Sequence, residues 1–394
     1  MIINKAFSFR LYPNEPQKAL LARHFGHCRY VYNQFLRKRI DYYAANKDEK
    51  KKGLTYFDTA VMLTAMKKEV EWLTEVNAQS LQGSLQRLDA AYNNFFNKRA
   101  KFPKFKNKHA KQSFLVPQHF SLDPESETIK IPKFSPIKTV LSRKTEGTMK
   151  SITISKTPTG KYFASVLCEI DKPVKPKTRG GEIGIDLGLK SFLVASDKTV
   201  IDAPRFLRSS EKKLVFFQRH LSRKVKGGKN RDKARHKVAL IHEKIANQRK
   251  DFLHQTSRKL VNENQVICFE DLNIKGMLAN HKLAKSISDV GWSEFIRQIK
   301  YKSEWEGVRV GQIDRFFPSS KRHFECGWVN ESLKLSDREW ACKGCGATVD
   351  RDHNASQNIL LFGKKQIPMD SRESTLVERR CIKAPRRSKK CVAA

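Results

Sequence analysis

No stretch of this chain approaches the roughly 18 consecutive apolar residues that a membrane span needs. Its start, Met1-Ile-Ile-Asn-Lys-Ala-Phe7, lacks the apolar core of a signal peptide. The expectation is a soluble, cytoplasmic chain with no membrane partner. Acids are scarce beside bases: 40 Asp and Glu face 78 Lys and Arg, a formal net charge of +38. That imbalance disfavours a basic partner and favours a phosphate-rich one. No internal repeat is present, which excludes a solenoid. Cysteine is too sparse for a disulfide framework, and Cys28, Cys168 and Cys268 lie singly within apolar patterns as core thiols. What the chain does have is apolar bulk, 39% hydrophobic with 24 Phe and 5 Trp. Over 394 residues this supports about two to four domains.

Residues 2–11 alternate, with Phe7, Phe9 and Leu11 on one side and Ser8 and Arg10 on the other, as a half-buried strand does. Pro13 to Pro16 close it and open a helical pattern to about Tyr43; further helical patterns cover 56–70 and 78–99. From about 113 the period falls to two, through Thr128–Ile131, Ser151–Ile154 and Tyr162–Ile170. These strands and the first predict a small β-barrel interrupted by the helical block. After a Pro- and Lys-rich linker near 171–181 come a strand ending at Asp186, strands at 192–196 and 199–202, and basic helices at 208–224 and 231–263. Strand Val266–Phe269, helix 289–306 and strand Val308–Ile313 follow, a β-β-β-α-β-α order that fits an α/β, RNase H-type sheet. A basic tail from about 371 carries Arg386-Arg-Ser-Lys-Lys.

Three acidic motifs stand out: Gly184-Ile-Asp186-Leu-Gly188, Phe269-Glu270-Asp271-Leu, and Asp350-Arg351-Asp352-His-Asn354-Ala. Each sets a carboxylate where an element ends or begins. Phosphodiester hydrolysis needs an activated water and a stabilised leaving oxygen, and two Mg²⁺ ions held by carboxylates serve both. Between Asp350 and Asp352 the spacing does not choose: one can bind metal while the other caps a helix. A second constellation, His323-x₂-Cys326 and Cys342-x₂-Cys345, has knuckle spacing for one structural, tetrahedral Zn²⁺ with no open position. The helices over 208–263 carry Arg219, Arg223, Lys224, Arg231 and Arg235 among few acids, which suits a phosphate-lined channel. Phe105, Phe114, Phe316 and Phe317 are candidates to stack on bases or to fill cores.

These residues, with Lys5-Ala-Phe…Arg10-Leu-Tyr-Pro, Phe317-Pro-Ser-Ser-Lys and Asp350-Arg-Asp-x-Asn-Ala-x-x-Asn-Ile, resemble the TnpB (OrfB) family of bacterial and archaeal transposons, relatives of the type V CRISPR effectors. The likeness runs from residue 1 to about 362. It implies a wedge barrel (1–12 and 113–178) interrupted by a helical recognition domain (13–112). It also implies a RuvC-like nuclease domain (179–317 and 348–370) with an inserted zinc ribbon (318–347). The implied activity is RNA-guided cleavage of double-stranded DNA beside a short flanking motif, with a guide RNA derived from the transposon end. Residue by residue, Asp186, Glu270 and Asp352 become the catalytic Mg²⁺ ligands, Asp350, Arg351 and Asn354 supporting residues, and Tyr56 and Gln82 contacts to flanking DNA. The family usually has Cys where this chain has His323. Two other readings are a nuclease-inactive, guide-directed repressor and a DDE-type transposase.

Overall fold

A computed structural model of the chain describes residues 1–47, 53–109, 111–334 and 336–367. The tail expected at 371–394 lies outside the described residues. The chain divides into two compact units, Met1–Pro173 with Lys224–Leu240, and Val174–Arg223 with Ile241–Ala394.

In the first unit, β1 (Ile2–Tyr12) buries Phe7, Phe9 and Leu11, as its alternation dictates. Helix α1 (Glu15–Ala45) starts in a capping box: Asn14 Oδ1 accepts from the Gln17 amide and Gln17 Oε1 from the Asn14 amide. Leu21, Phe25, Cys28, Tyr32 and Phe35 form its buried stripe. Helices α2 (Tyr56–Glu69) and α3 (Ala78–Phe96) are capped by Thr55 and Asn77. Strands β2 (Gln112–Val116), β3 (Ser121–Asp123), β4 (Thr128–Lys130), β5 (Ile137–Val140), β6 (Thr148–Lys156) and β7 (Tyr162–Asp171) complete it. The seven strands form one antiparallel sheet in the order β2-β6-β7-β1-β5-β4-β3. Among the described residues no ladder joins β2 to β3, so hydrogen bonding leaves open the sheet that was expected as a closed barrel. Phe9 and Leu11 of the sheet share a single core with Phe25, Phe35 and Leu85 of the helices. The helical block therefore gains its stability by packing on the sheet, not as a separate body.

The second unit is built on a five-stranded sheet. Strands β8 (Gly181–Leu187), β9 (Ser191–Ala195) and β10 (Val200–Asp202) lead into α4 (Phe206–Ser222) and α5 (Lys229–Glu263), whose residues up to Leu240 are counted with the first unit. Then come β11 (Asn264–Glu270), α6 (Ile274–Met277), α7 (Ala284–Val290), α8 (Trp292–Glu306) and β12 (Arg309–Ile313). The helix expected at 289–306 is two, broken at Gly291, which sits at φ +77° where a side chain is disfavoured. A short hairpin, β13 (Glu339–Ala341) and β14 (Thr348–Asp350), precedes α9 (Arg351–Lys365). Sheet order is β10-β9-β8-β11-β12, antiparallel from β10 to β8 and parallel from β8 to β12. Central β11 is buried on both faces: Ile267 and Phe269 pack with Phe192 and Phe295, while Val266 and Cys268 pack with Ile359 of α9. Its uninterrupted apolar run follows from that. Among the described residues, no helix is long and apolar enough to cross a membrane.

Candidate active site and metal centre

Parallel strands β8 and β11 pair Ile185 with Phe269, so Asp186 and Glu270, each one residue further, leave the sheet side by side at its C-terminal edge. Helix α9 brings the third acid. Its backbone presses directly onto β8 at Gly184, where an added Cβ would stand 2.1 Å from the Ser356 carbonyl oxygen and 2.6 Å from the Leu360 amide. Only glycine permits that approach. It fixes the first turn of α9, and Asp352 with it, over the strand that carries Asp186. Of Asp350 and Asp352, Asp350 takes the capping role: its Oδ1 accepts from the His353 amide at 2.7 Å and it is the α9 N-cap.

The three acids share one electrostatic environment. Burial first, then the neighbouring charges of Glu270 and Asp352, push the Asp186 carboxyl up to about 8, while Arg351 and Arg338 pull the other way. Burial also raises Glu270, opposed by a hydrogen bond from Ser319 Oγ to Glu270 Oε1 at 2.5 Å. Asp352 Oδ2 accepts from Arg338 Nη1 at 2.7 Å, and its Oδ1 from Arg351 Nε and Nη2 at 3.0 and 2.8 Å. The acids are close enough to repel, yet their oxygens do not all lie within 4.8 Å of one another as the zinc-type ligands do. Asn354 and Asn358 tie α9 to the segment that carries Ser319. Asn358 Nδ2 donates to the Ser319 and Arg322 carbonyls at 2.9 and 2.6 Å, and Asn354 Oδ1 accepts from the Phe324 amide at 2.8 Å. Ser319, Arg338 and Asn358 had no role in the sequence reading. The motifs Phe317-Pro-Ser-Ser and Asn354-x₃-Asn358 carried a signal for Ser319 and Asn358, and no motif carried one for Arg338.

His323, Cys326, Cys342 and Cys345 come together with their ligand atoms within 4.8 Å of one another. His323 Nδ1 lies 3.2 Å from Cys326 Sγ and 3.3 Å from Cys345 Sγ, and Cys326 Sγ lies 3.5 Å from Cys342 Sγ. Ligands at about 2.0–2.3 Å from a tetrahedral Zn²⁺ have edges of about 3.5–3.8 Å, so the residues fit the ion. Cys342 and Cys345 ride on the β13–β14 hairpin, packed by Trp328, Trp340 and Val349.

A "Putative RNA-guided DNA endonuclease" of Streptomyces pristinaespiralis is 38% identical over 366 residues, 92% of this chain and 90% of that protein. The chain belongs to the TnpB (OrfB) family. A relative named "Putative RNA-guided DNA endonuclease InsQ", from Escherichia coli strain K12, is 34% identical over 91% of this chain and 92% of its own length. Family models match in three places: "Probable transposase" at 165–281, "Cas12f1-like, TNB domain" at 292–359, and "Helix-turn-helix domain" at 1–48. In this TnpB-family chain the last of these covers a strand and one 31-residue helix. A cryo-EM structure of a Cas12f1–sgRNA–target DNA complex matches 91% of this chain and 99% of that one at 15% identity, with a TM-score of 0.36. So low a score adds nothing to the family assignment.

The remaining expected contacts divide. Arg219 and Arg223 are exposed on α4 and at its C-cap, in the second unit. Lys224, Arg231 and Arg235 fall in the first; Arg231 Nη1 donates to the Lys224 carbonyl at 2.8 Å, and Arg235 pairs with Asp232 at 2.9 Å. Tyr56 is half-buried against the first core, edge-on to Phe57, whereas Gln82 is exposed on α3. Of the four phenylalanines, Phe114 is core and Phe317 packs on Phe362; Phe105 and Phe316 are exposed.

Proposed function

We propose that this chain is an RNA-guided DNA endonuclease of a transposon. A guide RNA from the transposon end reads double-stranded target DNA by base pairing, and the chain cuts beside a short flanking motif by Mg²⁺-dependent hydrolysis. The observation that carries this is the meeting of Asp186, Glu270 and Asp352 at the edge of the five-stranded sheet. A sheet of three antiparallel strands extended by two parallel ones supports an RNase H-like, RuvC-like domain, and the His-Cys₃ hairpin supports an inserted, structural zinc ribbon. The wedge, recognition, nuclease and ribbon boundaries implied by the resemblance are proposed with it.

Three carboxylates are a hard, all-oxygen donor set suited to Mg²⁺. Bound there, two Mg²⁺ ions supply an activated water and neutralise the leaving oxygen. The chain's own part is positional. β8 and β11 present Asp186 and Glu270 abreast, Ser319 fixes the Glu270 carboxylate, and Arg338 and Arg351 hold the Asp352 side chain in place. The test is Asp186→Ala: cleavage should fall by about 10³-fold or more, as expected when an electrostatic centre is removed, while guide RNA binding persists. Full cleavage by this variant overturns the assignment. Binding without nicking by the unaltered chain would instead favour a guide-directed repressor, and strand-transfer products a DDE-type transposase.

A further inference from the structure

The first unit handles buried positive charge in two ways. Arg39, 7% exposed, is compensated conventionally: its Nη2 donates to Asp89 Oδ1 at 2.9 Å. Among the described residues, a second group of bases has no such partner. Between α1, α3 and the segment leading into β2 lies a cavity of about 30 Å³, walled by Arg29, Arg87, Lys106 and Lys111, and no acid is among its lining residues. The acceptors within reach are neutral. Arg29 Nη1 donates to Gln112 Oε1 at 3.0 Å, and Arg87 Nη1 to the Ser113 carbonyl and hydroxyl at 3.1 and 3.2 Å. Lys106 Nζ sits 3.7 Å from the centre of the Tyr32 ring.

This arrangement is held in place. Asn33 clamps the Lys106 backbone from both sides, its Nδ2 donating to the carbonyl and its Oδ1 accepting from the amide, each at 2.8 Å. Burial pushes the Lys106 ammonium down to about 8, helped by repulsion from Arg87, and burial lowers Arg87 too. Desolvated like charges facing only neutral groups leave a positive potential that an anion would relieve. The cavity has room for about two water-sized groups, which matches the two non-bridging oxygens of a phosphodiester.

We infer that this cavity binds one backbone phosphate of a nucleic acid, with Lys106 and Arg87 as its direct donors and Arg29 and Lys111 at its mouth. The inference rests on the nucleic-acid partnership proposed above and adds a specific grip far in sequence from the carboxylates.

The experiment measures how affinity of the full chain for a single-stranded RNA, and for an arbitrary duplex DNA, falls between about 50 and 200 mM salt. Lys106→Met keeps the aliphatic stem against Tyr32 and removes the charge. With at least one probe, its log–log salt slope should be shallower by about 0.7–0.9, the loss of one phosphate contact. A change with RNA alone assigns the phosphate to RNA, and with DNA alone to DNA. Unchanged slopes with both overturn the site while leaving the nuclease reading intact. Binding by the unaltered chain that ignores salt with both probes overturns both. Should Lys106→Met fail to fold, Arg29→Gln must show the same shallower slope, and an unaltered one overturns the site.

Discussion

In the seven-stranded unit burial lowers the bases Arg87, Lys106 and His24, and no carboxyl there is raised by it among the described residues, whereas in the five-stranded unit burial raises the carboxyls of Asp186 and Glu270. Lys302 breaks the pattern in the second unit, but its Nζ has two oxygen acceptors, the His254 carbonyl at 2.9 Å and Ser257 Oγ at 2.6 Å. Burying charge is costly, so a retained and uncompensated charge marks a place where a ligand of opposite sign is used. One unit thus presents desolvated bases and the other desolvated carboxyls. Within the second unit the two proposed metal sites differ again: the ligand atoms of His323, Cys326, Cys342 and Cys345 converge within 4.8 Å, while Asp352 is engaged by Arg338 and Arg351.

The strongest way to break this contrast is to remove a soft ligand. Cys342→Ser should abolish zinc retention, and the near-UV circular dichroism of Trp328 and Trp340 should collapse, since a structural zinc contributes on the order of 10 kcal/mol. Retained zinc by elemental analysis, with unchanged spectra, would separate the ribbon from its metal. Next in size is Gly184→Ala. A methyl group there meets the α9 backbone at 2.1 Å, so stability should drop by about 1–3 kcal/mol and cleavage by about 10²-fold, because Asp352 moves. Denaturant melts and a cleavage time course read both, and normal cutting would show that α9 does not position the acid.

The smallest test sharpens the other side. His24 is buried neutral, its Nδ1 2.9 Å from the Leu20 carbonyl and its Nε2 accepting from the Asn77 amide at 3.2 Å. Burial chiefly lowers it from 6.5 to about 4. A depressed folded value means the unfolded chain binds more protons below 6.5. The His24 contribution is therefore complete above that pH and lost as pH falls through about 4, amounting to about 3 kcal/mol. Melting at pH 7 and pH 4.5, compared with His24→Gln, should show a flatter profile in the variant; identical slopes would reassign the acid sensitivity.

Much of this was legible in sequence where the signal is local. Alternation gave β1, helical spacing after Pro13 to Pro16 gave α1, and ligand spacing gave the His323–Cys345 cluster. Strands β3 and β5, three and four residues long, carry too little pattern to see. Spacing could not rank Asp350 above Asp352, because the outcome depends on which side chain turns back to the His353 amide. Ser319 and Arg338 act across 49 and 14 residues, and no periodicity encodes such contacts. The core shared by the helical block and the sheet was hidden for a related reason: which face of α1 meets which strand is a tertiary fact.

The pairing of β1 with β7 sets a schedule for synthesis. Phe7 must wait for Val166, roughly 160 residues later, which at about 5–20 residues per second is about 8–30 seconds on the ribosome. Throughout that interval a strand carrying Phe7, Phe9 and Leu11 has α1 to α3 as its early shelter, and closing so long a loop favours slow folding. The N-terminal strand thus spends its early life packed on helices alone, with its β7-facing edge open to mispairing while the chain is being made.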